Sequence, residues 1–443
     1  MSELKLTGIF AGVALVLAVL AFLISPVRIT PEQFMDQGEV FFPQFTDPNQ
    51  ATTLEVIEFD EQSGAARPFK VTFKDGRWTI PSHNDYPADG KDRLARTAAG
   101  VIDIKKDDYR TSMVSDHAAC GVIDPLDQTA PGLKGRGSRI TMKDKDGTVL
   151  ADFIIGKPVP DRQGFRFVRV PGENRVYASR VNLDISTKFA DWIEASLLEV
   201  QAGKIERVVL DNYSINERTY SLQPGEKIDL VNRDEVWTTK SLGGALDTTK
   251  ARTLAKTLQD LTIVDVRPKP AGLSAALKGQ NRSVQMTQED QFSLQSKGFY
   301  LARQDNRLLS NEGEATVYST DGVIYTLRFG EVLTGSGGTD VSQQPSSANR
   351  YLFMTCEFDP SYFPEPARPT SIEFQNKKDA DLTDADKANK DVYSKHQQWE
   401  RKVQNGRDLA ARLNARFADW YYVISDDSFK KIHLSKADLT KRS

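Results

Sequence analysis

Reactive side chains are scarce in this chain of 443 residues, which has two cysteines and four histidines. Two cysteines cannot build a disulfide framework or a zinc site of four thiolates. The histidines are His83, His117, His396 and His433, and none of them belongs to a His-Glu-x-x-His pair. The composition therefore excludes small disulfide-rich secreted scaffolds and zinc ribbons, and it contains no zinc-hydrolase motif.

An excess of charge is missing as well, because 58 Lys and Arg stand against 61 Asp and Glu, for a net charge of −3. Nucleic-acid binding proteins carry a clustered basic excess, so we expect no nucleic-acid partner. The chain also lacks a Gly-x-Ser-x-Gly elbow and a phosphate-binding loop that ends in Gly-Lys-Ser/Thr. We therefore predict a protein that is not an enzyme, with no cofactor, catalytic residue or metal site.

Long apolar runs are limited to residues 6–27, which contain no charged side chain. A helix over this run would be about 33 Å long, enough to cross a hydrocarbon core of about 30 Å. The alternative is a cleaved signal peptide, whose apolar region usually covers about 7–15 residues. Apolarity here continues past Ala21, the best small residue for cleavage. This pattern favours a short cytoplasmic tail and an uncleaved single-pass anchor over residues 1–28.

Small residues line one face of the predicted anchor, namely Gly8, Ala11, Gly12, Ala14, Ala18 and Ala21. In lipid, close backbone approach at small residues favours helix association, although Gly and Ala are also common in transmembrane helices generally. We expect this face to pack on another membrane subunit. A short tail before a large body favours an inner-membrane protein whose body lies on the periplasmic, extracytoplasmic side.

The body contains an internal repeat. In the first copy, Asp75-Gly76 lies between alternating strands and is followed by Trp78 and by a helix from about Asp89. In the second copy, a turn at residues 232–234 leads to Trp237 and to a helix that starts near Asp247. Matched landmarks in the same order predict domain duplication.

The clearest repeat signature is the tetrapeptide Phe-Ala-Asp-Trp, which occurs at residues 189–192 and again at residues 417–420. A carboxylate beside aromatic rings suggests catalysis, but the rings suit a core and the Asp suits a cap or turn. We favour a structural role for the signature residues, which are Trp78, Trp237, Phe189, Asp191, Trp192, Phe417, Asp419 and Trp420.

These landmarks divide the body into a linker at residues 29–50, a first repeat domain at 51–202 and a second at 203–443. The second copy is longer because of an inserted loop at residues 334–349 and a long charged helix at about 383–418. Hairpins dominate, and regular strand-helix-strand alternation is absent. We therefore predict an α+β fold, with a single N-terminal transmembrane helix followed by two related, mostly antiparallel sheet-plus-helix domains.

Two local features could hold a metal ion, and each has a simpler explanation. Asp116, His117 and Cys120 supply two or three ligands, but no second pair completes a four-ligand site, so a turn is favoured. Residues 144–147 resemble a calcium loop, but Met142 stands where the first carboxylate ligand should be, so a hairpin turn is favoured.

Two further segments could carry chemistry. Residues 132–137 could form an anion-binding nest, although a plain flexible loop is favoured. Ser82, His83 and Asp85 are too close together in an extended loop to form a catalytic triad. We interpret both segments as structural.

Several motifs together resemble the bacterial domain-of-unknown-function 4340 family. They are Trp78-Thr79-Ile80-Pro81, Tyr86-Pro87-Ala88-Asp89, Cys120-Gly121-Val122-Ile123-Asp124-Pro125, Ile154-Ile155-Gly156-Lys157, Phe167-Val168-Arg169 and both Phe-Ala-Asp-Trp copies. An N-terminal anchor with two copies is similar to the planctomycete-type members. The resemblance implies an accessory protein beside ABC transporters of the gliding-motility type, and it supplies no catalytic residues.

The expected function is thus a non-catalytic, membrane-anchored, extracytoplasmic binding subunit of an ABC-transporter-like envelope complex, with permease and ATPase subunits as partners. One alternative is an envelope enzyme that acts on a polymer or glycan. A structural envelope scaffold is the other. An acidic cleft with two nearby carboxylates would favour the enzyme.

Overall fold

A computed structural model of the chain describes residues 12–19, 36–183, 185–216, 218–219, 221–278, 287–302, 307–333, 348–378 and 381–441. These residues form a sheet-rich α+β structure with sheets of nine, eight and two strands. The helices are α1 (12–19), α2 (Lys91–Ile102), α3 (His117–Cys120), α4 (Thr248–Gln259), α5 (Ala271–Leu277), α6 (Gln288–Gln295), α7 (Asp384–Ala418), α8 (Asp426–Ile432) and α9 (Lys436–Leu439).

The predicted transmembrane helix is wrong. Among the described residues, no helix combines the length and the apolar character needed to cross a bilayer. Within the predicted span at 6–27, the structure describes only residues 12–19, which form α1. The rest of that span lies outside the described residues. An uncharged run shows that a segment avoids water, but apolar composition alone does not establish a membrane-spanning helix.

The nine-stranded sheet is built from the first part of the chain. Its strands are β1 (Thr53–Asp60), β2 (Ala65–Lys74), β3 (Arg77–Ile80), β4 (Tyr86–Pro87), β5 (Asp108–Thr111), β6 (Ser138–Lys143), β7 (Val149–Pro158), β8 (Phe165–Arg169) and β9 (Val176–Arg180). Their spatial order is β4-β3-β2-β1-β6-β7-β8-β9-β5.

The remaining strands form the other two sheets. They are β10 (Ile205–Asn216), β11 (Ser221–Arg233), β12 (Val236–Thr239), β13 (Asp265–Pro268), β14 (Phe299–Leu301), β15 (Leu308–Ser310), β16 (Glu314–Ser319), β17 (Val323–Leu333), β18 (Asn349–Phe358) and β19 (Trp420–Ser425). The eight-stranded sheet has the order β12-β11-β10-β16-β17-β18-β19-β13, and β14 pairs with β15.

The same arrangement of eight strands occurs in both large sheets. We leave β4 out and number the eight remaining strands of each sheet from 1 to 8 by their order in the chain. The spatial order of the strands is then 3-2-1-5-6-7-8-4 in both sheets. A helix also lies between the third and fourth of these strands in each case, α2 in one and α4 in the other. Because neighbouring strands along the chain mostly pair as hairpins, the order is antiparallel in character.

The first hairpin of each sheet has a tight turn in the left-handed region. Asp75 and Gly76 have φ values of 52° and 79°, and Asp234 and Glu235 have values of 50° and 65°. Positive φ at both central residues is the mark of a type I′ turn, which matches the twist of the flanking strands. The second turn therefore lies later than the predicted residues 232–234, because Asn232 and Arg233 still pair with β12.

Two glycines lie inside strands and not at strand ends. β7 continues past Gly156, and β17 continues past Gly330. A Cβ on Gly156 would lie 2.4 Å from the Cys120 carbonyl oxygen. Glycine at such a strand position marks close approach of another backbone segment and does not end the strand.

The long charged helix is present as α7, and its predicted start is confirmed. Thr383 is the N-cap, and its side chain and that of Asp386 form a reciprocal capping box. Gly406 is buried within the continuous helix. A Cβ at Gly406 would lie 2.2 Å from Cε2 of Phe358, so glycine is required for the contact with β18.

The predicted insertion at residues 334–349 falls almost entirely outside the described residues, which resume at residue 348. The chain forms two compact units. One comprises Met1–Ala51, Ile57–Ala66 and Ala95–Asp184, and the other comprises Thr52–Val56, Arg67–Leu94 and Ile185–Ser443. The division into repeat domains at 51–202 and 203–443 stays a prediction.

Each unit has an apolar core of its own. In the first unit one cluster consists of Cys120, Val122, Ile154, Phe167, Val176 and Ala178. In the second unit one cluster consists of Leu273, Leu294, Phe299, Tyr351, Phe353, Tyr421 and Val423. The second cluster joins α5, α6 and β14 to the strands β18 and β19.

We expect Gly406→Ala to destabilise the protein. Alanine improves helix propensity by about 1 kcal/mol, but forcing a methyl group against Phe358 costs about 1–3 kcal/mol. The net result should be a loss of about 1 kcal/mol, measured by urea unfolding. Gly203→Ala is the control, because nothing lies within 4 Å of a Cβ there. An equal or greater stability of Gly406→Ala would contradict this packing.

Candidate functional site

The first Phe-Ala-Asp-Trp copy forms a 3-10 turn at Phe189–Trp192 whose two rings are fully buried. The Trp192 indole nitrogen donates to the Ser186 carbonyl oxygen at 2.9 Å. The Phe189 ring stacks on His83, with centroids 4.2 Å apart and planes 7° apart. Both rings thus serve as core side chains, with the indole donor satisfied.

Asp191 holds this turn together from the outside. It accepts a hydrogen bond from the Ser186 hydroxyl at 2.5 Å, and Arg93 of α2 lies 3.9 Å from the same carboxylate oxygen. The Arg93 guanidinium also lies over the Trp192 ring, 5.2 Å from its centroid. The carboxylate therefore binds a serine hydroxyl and pairs with a cation that covers the indole.

The second copy has a similar chemistry around its aspartate. Asp419 accepts hydrogen bonds from the Ser274 hydroxyl and, at 2.7 Å, from the Lys278 amine. Burial alone would raise the pKa of Asp419, but these hydrogen bonds and the lysine charges lower it below its ordinary value. An ionised carboxylate with a lowered pKa that is held by a serine and a lysine fixes local structure and is a weak base.

The two tetrapeptides nevertheless occupy different places in the strand order. Residues 189–192 follow β9 in a 3-10 turn, whereas residues 417–420 end α7 and enter β19. β19 has the position in its sheet that β9 has in the other. Trp78 and Trp237, by contrast, are both the second residue of corresponding strands, β3 and β12.

Tyr86 connects the two tetrapeptides. Its ring lies edge-on to Phe189 and to Trp420, with centroids 5.4 Å and 5.0 Å away. Tyr86 is buried, and its contact with Tyr422 adds to the burial that raises the pKa of Tyr422 well above its ordinary value. We refer to His83, Tyr86, Phe189, Trp192 and Trp420 as the signature cluster. It is an aromatic core in which Trp420 alone is half-buried rather than buried.

Lys269 is a residue that sequence reasoning missed. It is 6% exposed and its amine donates to the Phe417 carbonyl oxygen, near the C-terminus of α7, at 2.7 Å. The amine lies 3.9 Å from the centroid of the Phe353 ring. Burial lowers the pKa of Lys269 well below its ordinary value, which the nearby Asp419 charge opposes.

The position of Lys269 follows from its neighbours. It comes directly after β13, and its backbone N–H donates to the Asp419 carbonyl oxygen at 2.8 Å. An N–H donor at a helix C-terminus satisfies a carbonyl group that has no partner within the helix. A lysine between two prolines gives no periodic signal, so its burial could not be found from the sequence.

The Asp116, His117 and Cys120 group is used internally. The His117 Nε2 atom lies 3.0 Å from the Asn174 carbonyl oxygen, and Asp116 accepts a hydrogen bond from the Thr111 hydroxyl at 2.7 Å. Burial raises the pKa of the Cys120 thiol. Within the described part of the chain, no three His, Cys, Asp or Glu side chains are arranged to hold a metal ion.

The other local candidates are turns. The Asp144 carboxylate accepts the backbone N–H groups of Asp146 and Thr148 at 2.9 Å and 2.8 Å, as in a hairpin turn. In the segment 132–137, Arg136 donates to the Asp124 carbonyl oxygen at 2.9 Å, which ties the loop down.

Ser82 and His83 are in contact, whereas Asp85 belongs to the following bend. The Ser82 hydroxyl lies 3.1 Å from His83 Nδ1. Asn84 and Asp85 both have φ near 58°, a left-handed pair that reverses the chain between β3 and β4. The His83 ring is held by its stacking on Phe189, which agrees with a structural role.

The predicted small-residue face is only partly described. Gly12, Ala14 and Ala18 lie in α1, where every residue is exposed. The other members, Gly8, Ala11 and Ala21, lie outside the described residues. The larger side chains of α1 are also exposed, by 50% to 67%.

A cleft of about 810 Å³ lies within the second unit, a volume typical of ligand sites. Its charged lining residues are Glu194, Glu199, Lys204, Asp260, Asp321 and Arg412. Glu199 is bound by Arg412 through two hydrogen bonds of 2.7 Å, which lower the pKa of its carboxyl group. Asp321 pairs with Lys204 at 3.5 Å. Asp260 pairs with Lys256 at 2.9 Å, so ion pairs occupy three of the carboxylates in the cleft.

Fold and site together define a sheet-rich α+β protein whose sequence signature forms a buried aromatic cluster. Residues 78–276, from β3 into α5, match the family described as Domain of unknown function (DUF4340). The resemblance noted from the motifs is therefore confirmed for this stretch. No curated protein and no solved structure matches the chain.

We expect Trp192→Ala to lower the free energy of unfolding by about 3–5 kcal/mol, because a fully buried indole is replaced by a cavity. Trp420→Ala should cost less, because Trp420 is half-buried. Urea unfolding of both variants measures the difference, with Trp78→Ala, another half-buried indole, as a control. Folded variants with unchanged stability would contradict the structural role of the signature.

Lys269 should make stability depend on pH. Its pKa is lower in the folded chain than in the unfolded chain, so between the two values the unfolded state binds more protons and stability rises with pH. Compared with Lys269→Met, the wild type should gain up to about 1.4 kcal/mol per pH unit as the pH rises towards about 10.4, the ordinary pKa of a lysine in an unfolded chain.

Urea unfolding at several pH values measures this difference. Lys387→Met is the matched control, because the Lys387 side chain is 62% exposed. Its difference from the wild type should not change with pH. A Lys269→Met difference that is equally flat would show that the amine keeps its charge in the folded protein.

Proposed function

We propose that this chain is a non-catalytic accessory subunit of an envelope complex that resembles ABC transporters of the gliding-motility type. Its role is to bind partner subunits, and an ABC permease is the principal partner. The observation that carries this proposal is that every described residue of the apolar helix α1 is exposed. The class of complex is what the resemblance of the motifs implies, whereas the matched family is itself described only as a domain of unknown function.

Helix α1 lacks a polar face. Its five large apolar residues, Val13, Leu15, Val16, Leu17 and Val19, are each at least half exposed. Burying such a side chain on a partner would contribute about 1.5–3 kcal/mol. Contiguous exposed apolar surface is typical of sites that bind another macromolecule. A permease subunit offers apolar helices that can cover this surface.

Side chains that could support catalysis are already engaged. Asp191 and Asp419 bind serine hydroxyls and cations, and Glu199 binds Arg412. A glycosidase needs one carboxylic acid whose pKa is raised, whereas the pKa values of Glu199 and Asp419 are lowered. These features support a binding role over the envelope enzyme.

We also propose that the chain is a two-copy member of the family, as in its planctomycete-type members. The shared order of eight strands in the two large sheets supports duplication of an ancestral domain. The second copy would then have gained α5, α6, β14 and β15 between its fourth and fifth strands, and α7 between its seventh and eighth.

An extracytoplasmic position of the body belongs to the same proposal. It follows from the class of complex and from the length of the folded part after α1. Protease added to intact spheroplasts should digest the body. Protection of the body until the cells are lysed would contradict this position.

The proposal predicts that crosslinking and pull-down of the full chain from native membranes recover ABC permease and ATPase subunits. The double variant Leu15→Glu, Leu17→Glu should recover at least about tenfold less permease, because charges would have to be buried in an apolar interface. Lys387→Glu, on the exposed face of α7, is the control and should recover as much as the wild type.

Two outcomes would overturn the proposal. Recovery of no ABC subunit with the wild type would favour the scaffold or the enzyme. Equal recovery with the double variant would show that α1 does not bind the permease.

A further inference from the structure

The cleft of the second unit opens where two antiparallel segments part. The segments pair at Ser196 and Thr262, which form an isolated antiparallel β-bridge. Beyond this bridge, one segment continues as residues 198–201, and the other leads back to the C-terminus of α4 at Gln259 and its C-cap Asp260. Both of these stretches line the cleft. The cleft is therefore a gap between two chain segments that are joined at one end.

The wall at residues 198–201 has the character of an unpaired strand. Leu198 and Val200 are buried, whereas Glu199 and Gln201 are exposed, which is the period-two alternation of an extended chain. Among the described residues, neither Leu198 nor Val200 makes a hydrogen bond to another backbone group. An extended segment with unpaired N–H and C=O groups can pair with the strand of another chain.

Contacts on both sides hold this wall in place. Arg416 of α7 donates to the Ser196 carbonyl oxygen at 2.9 Å and also to the Glu194 carbonyl oxygen. At the other end, the Ala202 N–H donates to the side-chain oxygen of Gln259 at 2.9 Å, which joins the two walls again. A site that is formed before binding avoids part of the entropy cost of ordering it.

The charge of the cleft favours a cationic group. Four carboxylates line it against two cationic side chains. In the part of the chain that the structure describes, Glu194 has no cationic partner, and its carboxylate accepts a hydrogen bond from the Ser196 N–H at 3.3 Å. The C-terminus of α4, the negative end of its helix dipole, lies in the opposite wall.

We propose that this cleft binds an extended peptide segment of a partner protein that carries a lysine or arginine side chain. The peptide backbone pairs with residues 198–201 as an added strand, and the basic side chain binds the Glu194 carboxylate. The site contains no residue of α1. The proposal therefore goes beyond the proposed function and is tested separately from permease binding.

The test measures binding of the blocked peptide acetyl-Thr-Val-Lys-Val-Thr-amide to the full chain by isothermal titration calorimetry. Its β-branched residues favour an extended backbone. Replacing the peptide lysine by glutamate should weaken binding by at least about tenfold, because a charge-assisted hydrogen bond is lost. N-methylation of two successive peptide amides, one of which must face the wall, should weaken it by about tenfold as well.

A protein variant tests the basic subsite. Glu194→Gln keeps the size of the side chain and should weaken binding of the lysine peptide by at least about tenfold. Glu173→Gln is the matched control, because Glu173 is exposed and lies outside the cleft lining. It should bind the peptide as tightly as the wild type. The N-methylated peptide keeps the test decisive if Glu194→Gln does not fold, because it uses the wild-type chain.

Three outcomes would overturn the proposal. The first is failure of the wild type to bind the lysine peptide at millimolar concentration. The second is equal binding of acetyl-lysine-methylamide or of the N-methylated peptide, which would show a site for a single cation and not for a peptide backbone. The third is equal binding of the lysine peptide by Glu194→Gln and the wild type.

Discussion

The end of α7 requires a hydrogen-bond donor in a place where water cannot reach. A helix leaves its last carbonyl groups without partners, and the Phe417 carbonyl lies beside the buried core of the second unit. The amine of Lys269 supplies the donor. Because Lys269 directly follows β13, which pairs with β19 from Pro268 opposite Trp420, this one contact joins the end of the helix to the edge of the sheet.

Much of the signature cluster depends on that junction. With the chain turned at Asp419, Trp420 starts β19 and its ring meets Tyr86, which in turn contacts Phe189. Each aspartate of the repeated tetrapeptide then binds a serine hydroxyl and a cation from a nearby segment. A motif that combines a carboxylate and an aromatic ring can thus have a structural role, because its side chains hold backbone segments together. The chemistry left for function lies at exposed apolar and polar surfaces.

Local features were predictable from the sequence where a short segment determines its own conformation. Asp75-Gly76 predicted the type I′ hairpin, Asp247 the N-cap of α4, and Thr383 with Asp386 the capping box of α7. The residues of the candidate site were harder to predict from the local sequence. Lys269, Ser186 and Ser274 have no distinctive spacing, and their roles arise from contacts between segments far apart in the chain. The close backbone contacts at Gly156 and Gly330 cannot be seen in a local pattern, because they come from segments distant in the chain.

The sequence by itself determined the hairpins, the long charged helix, the absence of charge excess and the resemblance to a family, since these depend on neighbouring residues or on composition. Only the tertiary structure decided that the two tetrapeptides occupy different places in the strand order and that eight strands repeat in the same order. It also decided that the described residues hold no helix able to cross a membrane. The physical reason is that strand pairing and burial bring together residues that are distant in the chain, whereas hydropathy and turn preference act over only a few residues.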